Sequence, residues 1–158
     1  MATLTNLTQT QIKNLLDYDP NTGIFTWKIG GVEAGIFDEA GYRIIRINRQ
    51  RYKAHRLAWL YMTGIWPIHD IDHINNQKGD NIWSNLRAAT RSENICNTKI
   101  IKTNTSGYKN IWVRSWGYRV AIKKDGMRYM QSFSDLNEAI SWRDQKLVQL
   151  HGSFANFG

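Results

Sequence analysis

The chain has 158 residues and a formal charge of +8, with 21 Lys and Arg set against 13 Asp and Glu. That length holds one modest core or a few very small ones. A single cysteine, Cys96, excludes an internal disulfide, argues against a thiolate-rich zinc site and points to a reducing compartment. The start, Met1 to Asn6, lacks a charged region followed by an apolar one, and no stretch approaches the roughly 20 apolar residues that span a bilayer. A cytoplasmic chain with no membrane partner is expected. The charge excess is +2 over 1–54, +2 over 55–104 and +4 over 105–158. Such a balance suits a polyanionic partner, because neutralised phosphates release counterions, although a merely soluble basic protein shares it.

In chain order, the stretch from Thr8 to Leu16 opens with cap-type residues and sets Ile12, Leu15 and Leu16 at helical spacing. Asp19-Pro20-Asn21-Thr22-Gly23 then forces a turn. Phe25 to Trp27 and Tyr42 to Ile47 have strand composition, and Asn48-Arg49-Gln50 reads as a hairpin connection to Tyr52. The first third, 1–54, is therefore expected to be a small β-rich unit. Five basic residues and no acid fall between Arg43 and Lys53, either a ribbon lying along phosphates or a solvated hairpin face. His55 to Met62 is a helical stretch stopped by Gly64, with Pro67 beyond. His55, at its start, reads as a structural hydrogen-bonding residue before it reads as a ligand.

The polar stretch 98–106 is expected to be a linker. Beyond it Tyr118 to Lys124, the turn Asp125-Gly126, and Arg128 to Phe133 carry a strand, turn and strand signal. Apolar residues at 136, 139, 140, 147 and 150 then mark an amphipathic helix able to cover one sheet face.

The chemistry concentrates between 71 and 97. Apolar neighbours put Asp72-His73 on a short strand, Asn75 to Asp80 forms a polar loop, and Leu86 to Ala89 can return as a second strand. Thr90-x-x-Glu93 is a capping box, so a helix begins there and carries Asn94 in its first turns. One carboxylate, one amide oxygen and one imidazole result. Two hard oxygen ligands plus water suit a single Mg²⁺ or Mn²⁺ that also touches phosphate oxygens. A histidine beside such an ion can deprotonate water for attack on phosphorus. The competing reading is that these side chains merely cap turns. Asn97, one turn after Asn94, is the substitute candidate for the ligand, and His69 is expected in an exposed loop.

These residues resemble the HNH endonuclease family, in particular the phage and intron-associated group whose last histidine is asparagine. The steps of 12 residues from His73 to Asn85 and 9 from Asn85 to Asn94 fit that group. The resemblance implies Asp72 and Asn94 as metal ligands, His73 as general base, and Asn85 as the residue that holds the loop and orients the base. It also implies a ββα-metal motif within 55–100.

Ser106 to Arg119, together with the ending Leu150 to Asn156, looks like the plant ethylene-response-factor type of DNA-binding domain. That resemblance implies a three-stranded antiparallel sheet lying in the major groove with a helix behind it, over 105–158. Alternation agrees, since Trp112, Arg114, Arg119, Lys123 and Arg128 fall on one side, with Ile111, Val113, Val120 and Ile122 opposite. Those five, with Trp116 near the turn, are the expected DNA face. Trp112 stands where the plant family has arginine and Arg119 where it has tryptophan, so base specificity does not carry over.

The sequence thus predicts an α+β chain of three modules. Its expected activity is site-selective, metal-dependent cleavage of double-stranded DNA, with no small-molecule cofactor and with protein partners unknown. Nicking by a monomer follows from one site per chain. The alternatives are a DNA-binding regulator with an inactive nuclease motif and a nuclease directed at RNA.

Overall fold

The computed structural model describes residues 7–98 and 100–158. Met1 to Asn6, on which the leaderless reading falls, and Lys99 in the expected linker lie outside them. The chain is α+β and divides into two compact units, Met1–Ala88 and Ala89–Gly158. Among the described residues no helix is long and apolar enough to cross a membrane.

In the first unit α1, Gln9–Leu15, begins at a capping box in which the Thr8 hydroxyl takes the Gln11 N–H and the Gln11 side chain takes the Thr8 N–H. The helix stops a residue early. Leu16 is already extended and opens β1, Leu16–Asp19, which pairs antiparallel with β2, Ile24–Trp27, across the Pro20 to Gly23 turn. Helical spacing had claimed Leu16, but Leu16 and Tyr18 alternate into the core as strand residues do.

A three-stranded antiparallel sheet follows in the order β3, Ile36–Phe37, β4, Arg43–Ile47, and β5, Gln50–Lys53. Asn48 and Arg49 both have positive φ, so the hairpin turn is two residues long and Gln50 belongs to the strand. Arg43 does not join a basic ribbon: its side chain pairs with Glu33 and donates to the carbonyls of Ala34 and Gly35. Helix α2, Ala54–Thr63, ends at Gly64 in the left-handed conformation. Its Leu57, Ala58 and Leu60 pack into the core with Ile12, Leu16, Phe25 and Ile45.

The strands β6, Asp70–His73, and β7, Leu86–Ala89, form a two-stranded sheet, joined by a loop ending in one 3₁₀ turn, Trp83–Asn85.

The second unit starts with α3, Arg91–Cys96, whose Thr90 and Glu93 form the capping box. Strands β8, Ile111–Arg114, β9, Gly117–Lys124, and β10, Met127–Phe133, make an antiparallel sheet in the order β10-β9-β8. Helix α4, Leu136–His151, capped by Asp135, packs on the face that carries Ile111, Val120 and Ile122. Its buried stripe is Ala139, Arg143, Leu147 and His151, so two of the four positions are polar. Arg143 is there because its Nη1 donates to the carbonyls of Lys109 and Phe157, at 3.2 and 2.8 Å. Val113, expected on the covered side, is 44% exposed at the end of its short strand. A single 3₁₀ turn, Gly152–Phe154, closes the unit.

Gly23 shows how tightly the first unit closes. Its φ is +73°, and a Cβ there would stand 2.4 Å from the backbone carbon of Asn81 and from the nitrogen of Ile82. A Gly23→Ala substitution is expected to lower stability by about 2–3 kcal/mol, since backbone strain and a backbone clash coincide. Urea denaturation with the midpoint and slope compared to wild type measures it.

Candidate active site

Asp72 and His73 are consecutive on β6 and both are buried, at 6% and 5% exposure. Successive strand residues take opposite sides, so the two have different neighbours. The Asp72 Oδ2 accepts from Arg87 Nε and from Arg87 Nη2, each at 2.9 Å, across the strand pair. The His73 Nε2 lies 3.3 Å from the Asn81 Oδ1. The Asn81 amide is almost wholly buried and donates from Nδ2 to the Gly79 carbonyl at 3.1 Å, which turns its oxygen toward the imidazole. Its own carbonyl accepts from the Tyr18 hydroxyl at 2.7 Å.

Two further rings frame His73. The His55 ring meets it edge to face at a centroid distance of 4.9 Å, and Tyr42 lies 5.3 Å from His55 and 6.1 Å from His73. Burial pushes the His55 imidazole down to about 3, with His73 and Lys53 adding to the effect. Burial likewise lowers His73, while its contact with Asn81 and the nearby Asp72 work the other way. Both imidazoles are therefore neutral at pH 7, the state in which a histidine can accept a proton.

Asn85 sits in the 3₁₀ turn and works on the loop. Its Oδ1 accepts from the Asn75 N–H at 3.0 Å, and its Nδ2 donates to the Asn75 Oδ1 at 3.0 Å and the Asp80 carbonyl at 2.8 Å. Asn75 in turn donates to the Asp80 carboxylate at 2.6 Å, and the Ile74 N–H reaches the Asn85 carbonyl at 2.9 Å. One amide thus ties both ends of the six-residue loop together.

Asn94 is half-buried on α3, in the second unit. Asn97 is the C-cap of that helix and is buried, with its carbonyl and its Oδ1 both accepting from the Asn156 amide at 3.0 and 2.8 Å. His69 is exposed.

On the second unit Trp112, Arg114, Arg119, Lys123 and Arg128 line one concavity of about 460 Å³ on the open face of the sheet. Trp116 lies apart from it, 52% exposed in the turn between β8 and β9. Lys123 and Arg128 are directly opposed across β9 and β10. Among the described residues, no carboxylate pairs with these four cations.

The residues that sequence reasoning missed are Asn81 and Arg87, and His55 was weighed only as structural. Each acts through a neighbour distant in sequence. A hint for Arg87 was available, because a strand returning beside Asp72 must set some side chain against that carboxylate.

The HNH endonuclease family profile matches residues 52–95, a segment holding Asp72, His73, Asn85 and Asn94. Protein 3.8 of Escherichia phage T7 is 34% identical over 118 residues, covering 69% of this chain and 95% of that protein. The chain belongs to the HNH endonuclease family. Among solved structures, that of DNA binding and cleavage by the HNH homing endonuclease I-HmuI aligns with 89% of this HNH chain and 88% of its own, at 18% identity and a TM-score of 0.46.

Among the described residues no three His, Cys, Asp or Glu side chains gather as a metal site. The ligands expected from the sequence, Asp72 and Asn94, offer a carboxylate and an amide oxygen. That set fits a hard divalent ion completed by water and phosphate, and does not fit a closed zinc site.

His55 makes the HNH segment sensitive to acid. Its folded pKa of about 3 lies below the ordinary 6.5, so between those values the unfolded chain binds more protons and stability falls as the pH drops. From pH 7 to pH 5 the loss from this residue is about 2 kcal/mol. A His55→Phe variant is expected to show a flatter dependence of denaturation free energy on pH, and a slope equal to wild type would refute the assignment.

Proposed function

We propose that this HNH chain is a site-selective, metal-dependent DNA endonuclease of the phage homing type, acting in the cytoplasm of a bacterial host. The observation that carries the reading is a buried, neutral imidazole next to a buried carboxylate, inside the segment that matches the family. His73 takes the proton from the attacking water. Burial keeps it neutral and ready, and its contact with Asn81 steadies the ring as charge arrives. Asp72 and Asn94 would hold one Mg²⁺ or Mn²⁺. When bound, that ion supplies positive charge at the scissile phosphate and at the leaving oxygen. Asn85 keeps the loop between β6 and β7 closed, so that the strand carrying His73 does not drift.

DNA is gripped by the flanks, 1–54 and 105–158, with the chemistry in 55–100. Supporting this, each unit carries a like-charge pair directly across a sheet, Arg46 opposite Arg51 and Lys123 opposite Arg128. Such pairs are unfavourable in the protein alone and become favourable against phosphates. For 105–158 the reading draws on a three-stranded sheet backed by a helix, with a basic open face. Having one site, a monomer nicks one strand.

Incubating the protein with supercoiled plasmid carrying phage sequence, with and without Mg²⁺ or Mn²⁺, tests the reading. Metal-dependent open circles are expected, and their absence over a range of substrates favours a DNA-binding regulator. His73→Ala is expected to lower the cleavage rate at least about a hundredfold with DNA affinity near wild type. Equal loss of binding would make His73 structural. Arg128→Ala is expected to weaken binding and to reduce the slope of log affinity against log salt by about 0.9, one phosphate's worth. An unchanged slope would remove Arg128 from the phosphate contacts.

A further inference from the structure

Asp72 is a buried carboxylate, and a buried carboxylate needs a counter-cation within the fold. Arg87 provides it from the neighbouring strand, with its side chain 18% exposed. Both Nε and Nη2 of Arg87 fall on the same oxygen, Oδ2, at 2.9 Å each. The carboxylate is thereby held in orientation by the guanidinium across the strand pair.

We propose that Arg87 is a positioning residue with two opposed effects on the ion site, a proposal that rests on reading Asp72 as an ion ligand. It keeps Asp72 paired and oriented while no divalent ion is present, so the strand pair is complete before metal arrives. It also repels the ion, because two cations then share one carboxylate. The remaining negative charge must come from the substrate's phosphates. Metal binding is therefore weak in the free protein and strengthens when DNA is bound. Solvent-borne Mg²⁺ alone does not arm the enzyme.

The test uses the full chain without DNA. Wild type, Arg87→Met, Arg87→Lys, Asp72→Asn and the double variant R87M/D72N are compared by thermal unfolding and by Mn²⁺ titration followed by electron paramagnetic resonance. Arg87→Met is expected to unfold at a lower temperature without metal, to recover on adding Mn²⁺, and to bind Mn²⁺ about tenfold or more tightly than wild type, since a full positive charge beside the ligand is gone. Arg87→Lys, which keeps the charge, is expected to stay near wild type in Mn²⁺ affinity.

If Arg87→Met binds Mn²⁺ no more tightly than wild type while Asp72→Asn binds more weakly, the proposal is overturned and the ligand reading of Asp72 survives. If Asp72→Asn binds Mn²⁺ as well as Arg87→Met does, the ligand reading itself fails and takes the proposal with it. Should Arg87→Met not fold, the double variant decides. Recovery of folding on removing the carboxylate supports the counter-cation role, and continued failure means that Arg87 acts by packing, which overturns it.

Discussion

Asp72 and His73 follow one another on a four-residue strand, and both are withdrawn from water. Burying a carboxylate without a partner costs several kcal/mol, and burying an imidazole makes its charged form costly. Much of the first unit can be understood as what those two adjacent burials require. Arg87 must lie across the strand pair to meet Asp72, so β7 has to return in the register that puts it there. An amide must face His73, so Asn81 has to be carried inward from the loop.

Bringing Asn81 inward has consequences that reach the start of the chain. Its backbone carbonyl would be unsatisfied in the interior, and the Tyr18 hydroxyl on β1 supplies the hydrogen bond. The β1–β2 turn then approaches so closely that only glycine fits at position 23. Tyr18 lies tilted against Phe25 and meets Tyr61 of α2 edge to face, which ties the support of the imidazole to the main apolar core. Asn85 performs a parallel task at the loop's mouth, where its amide replaces the backbone pairing that a longer ladder would have given. The site residues are thus held by a polar chain of contacts that passes into packed aromatics within two or three steps.

What could be read from sequence divides along the same line. Features set by neighbours in the chain were legible: the Asp125-Gly126 hairpin, the Thr90 and Glu93 capping box, the stop of α2 at Gly64, and the alternation of β9. So was the succession of β6, β7 and α3 along the chain. Features set by distant partners were not. The strand character of Leu16 to Asp19 depends on pairing with Ile24 to Trp27, and the two-residue β3 has no local signal. Arg143 occupies a core position on α4 because two backbone carbonyls need a donor, which no pattern of apolar residues reveals. Asn81 and Arg87 were overlooked for the same reason, since their importance is conferred by His73 and Asp72 eight and fifteen residues away.

The treatment of positive charge separates structure from recognition more sharply than composition does. Arg43 and Arg143 are each answered inside the fold by a carboxylate together with backbone carbonyls, Glu33 serving the first and Asp144 the second. Arg87 is answered by Asp72. Lys123 and Arg128 oppose each other across an exposed face where, among the described residues, no acid meets them. A sequence shaped only for stability would gain by replacing one of that pair with Glu, since opposite charges at such a position contribute roughly 0.2–1 kcal/mol and like charges cost energy. Keeping both cations on a concave sheet face makes sense when a polyanion completes the charge balance. The same reasoning explains why a net charge of +8 is informative here: among the described residues, several cations are answered within the fold, while Arg114, Arg119, Lys123 and Arg128 gather on one sheet face with no carboxylate paired to them.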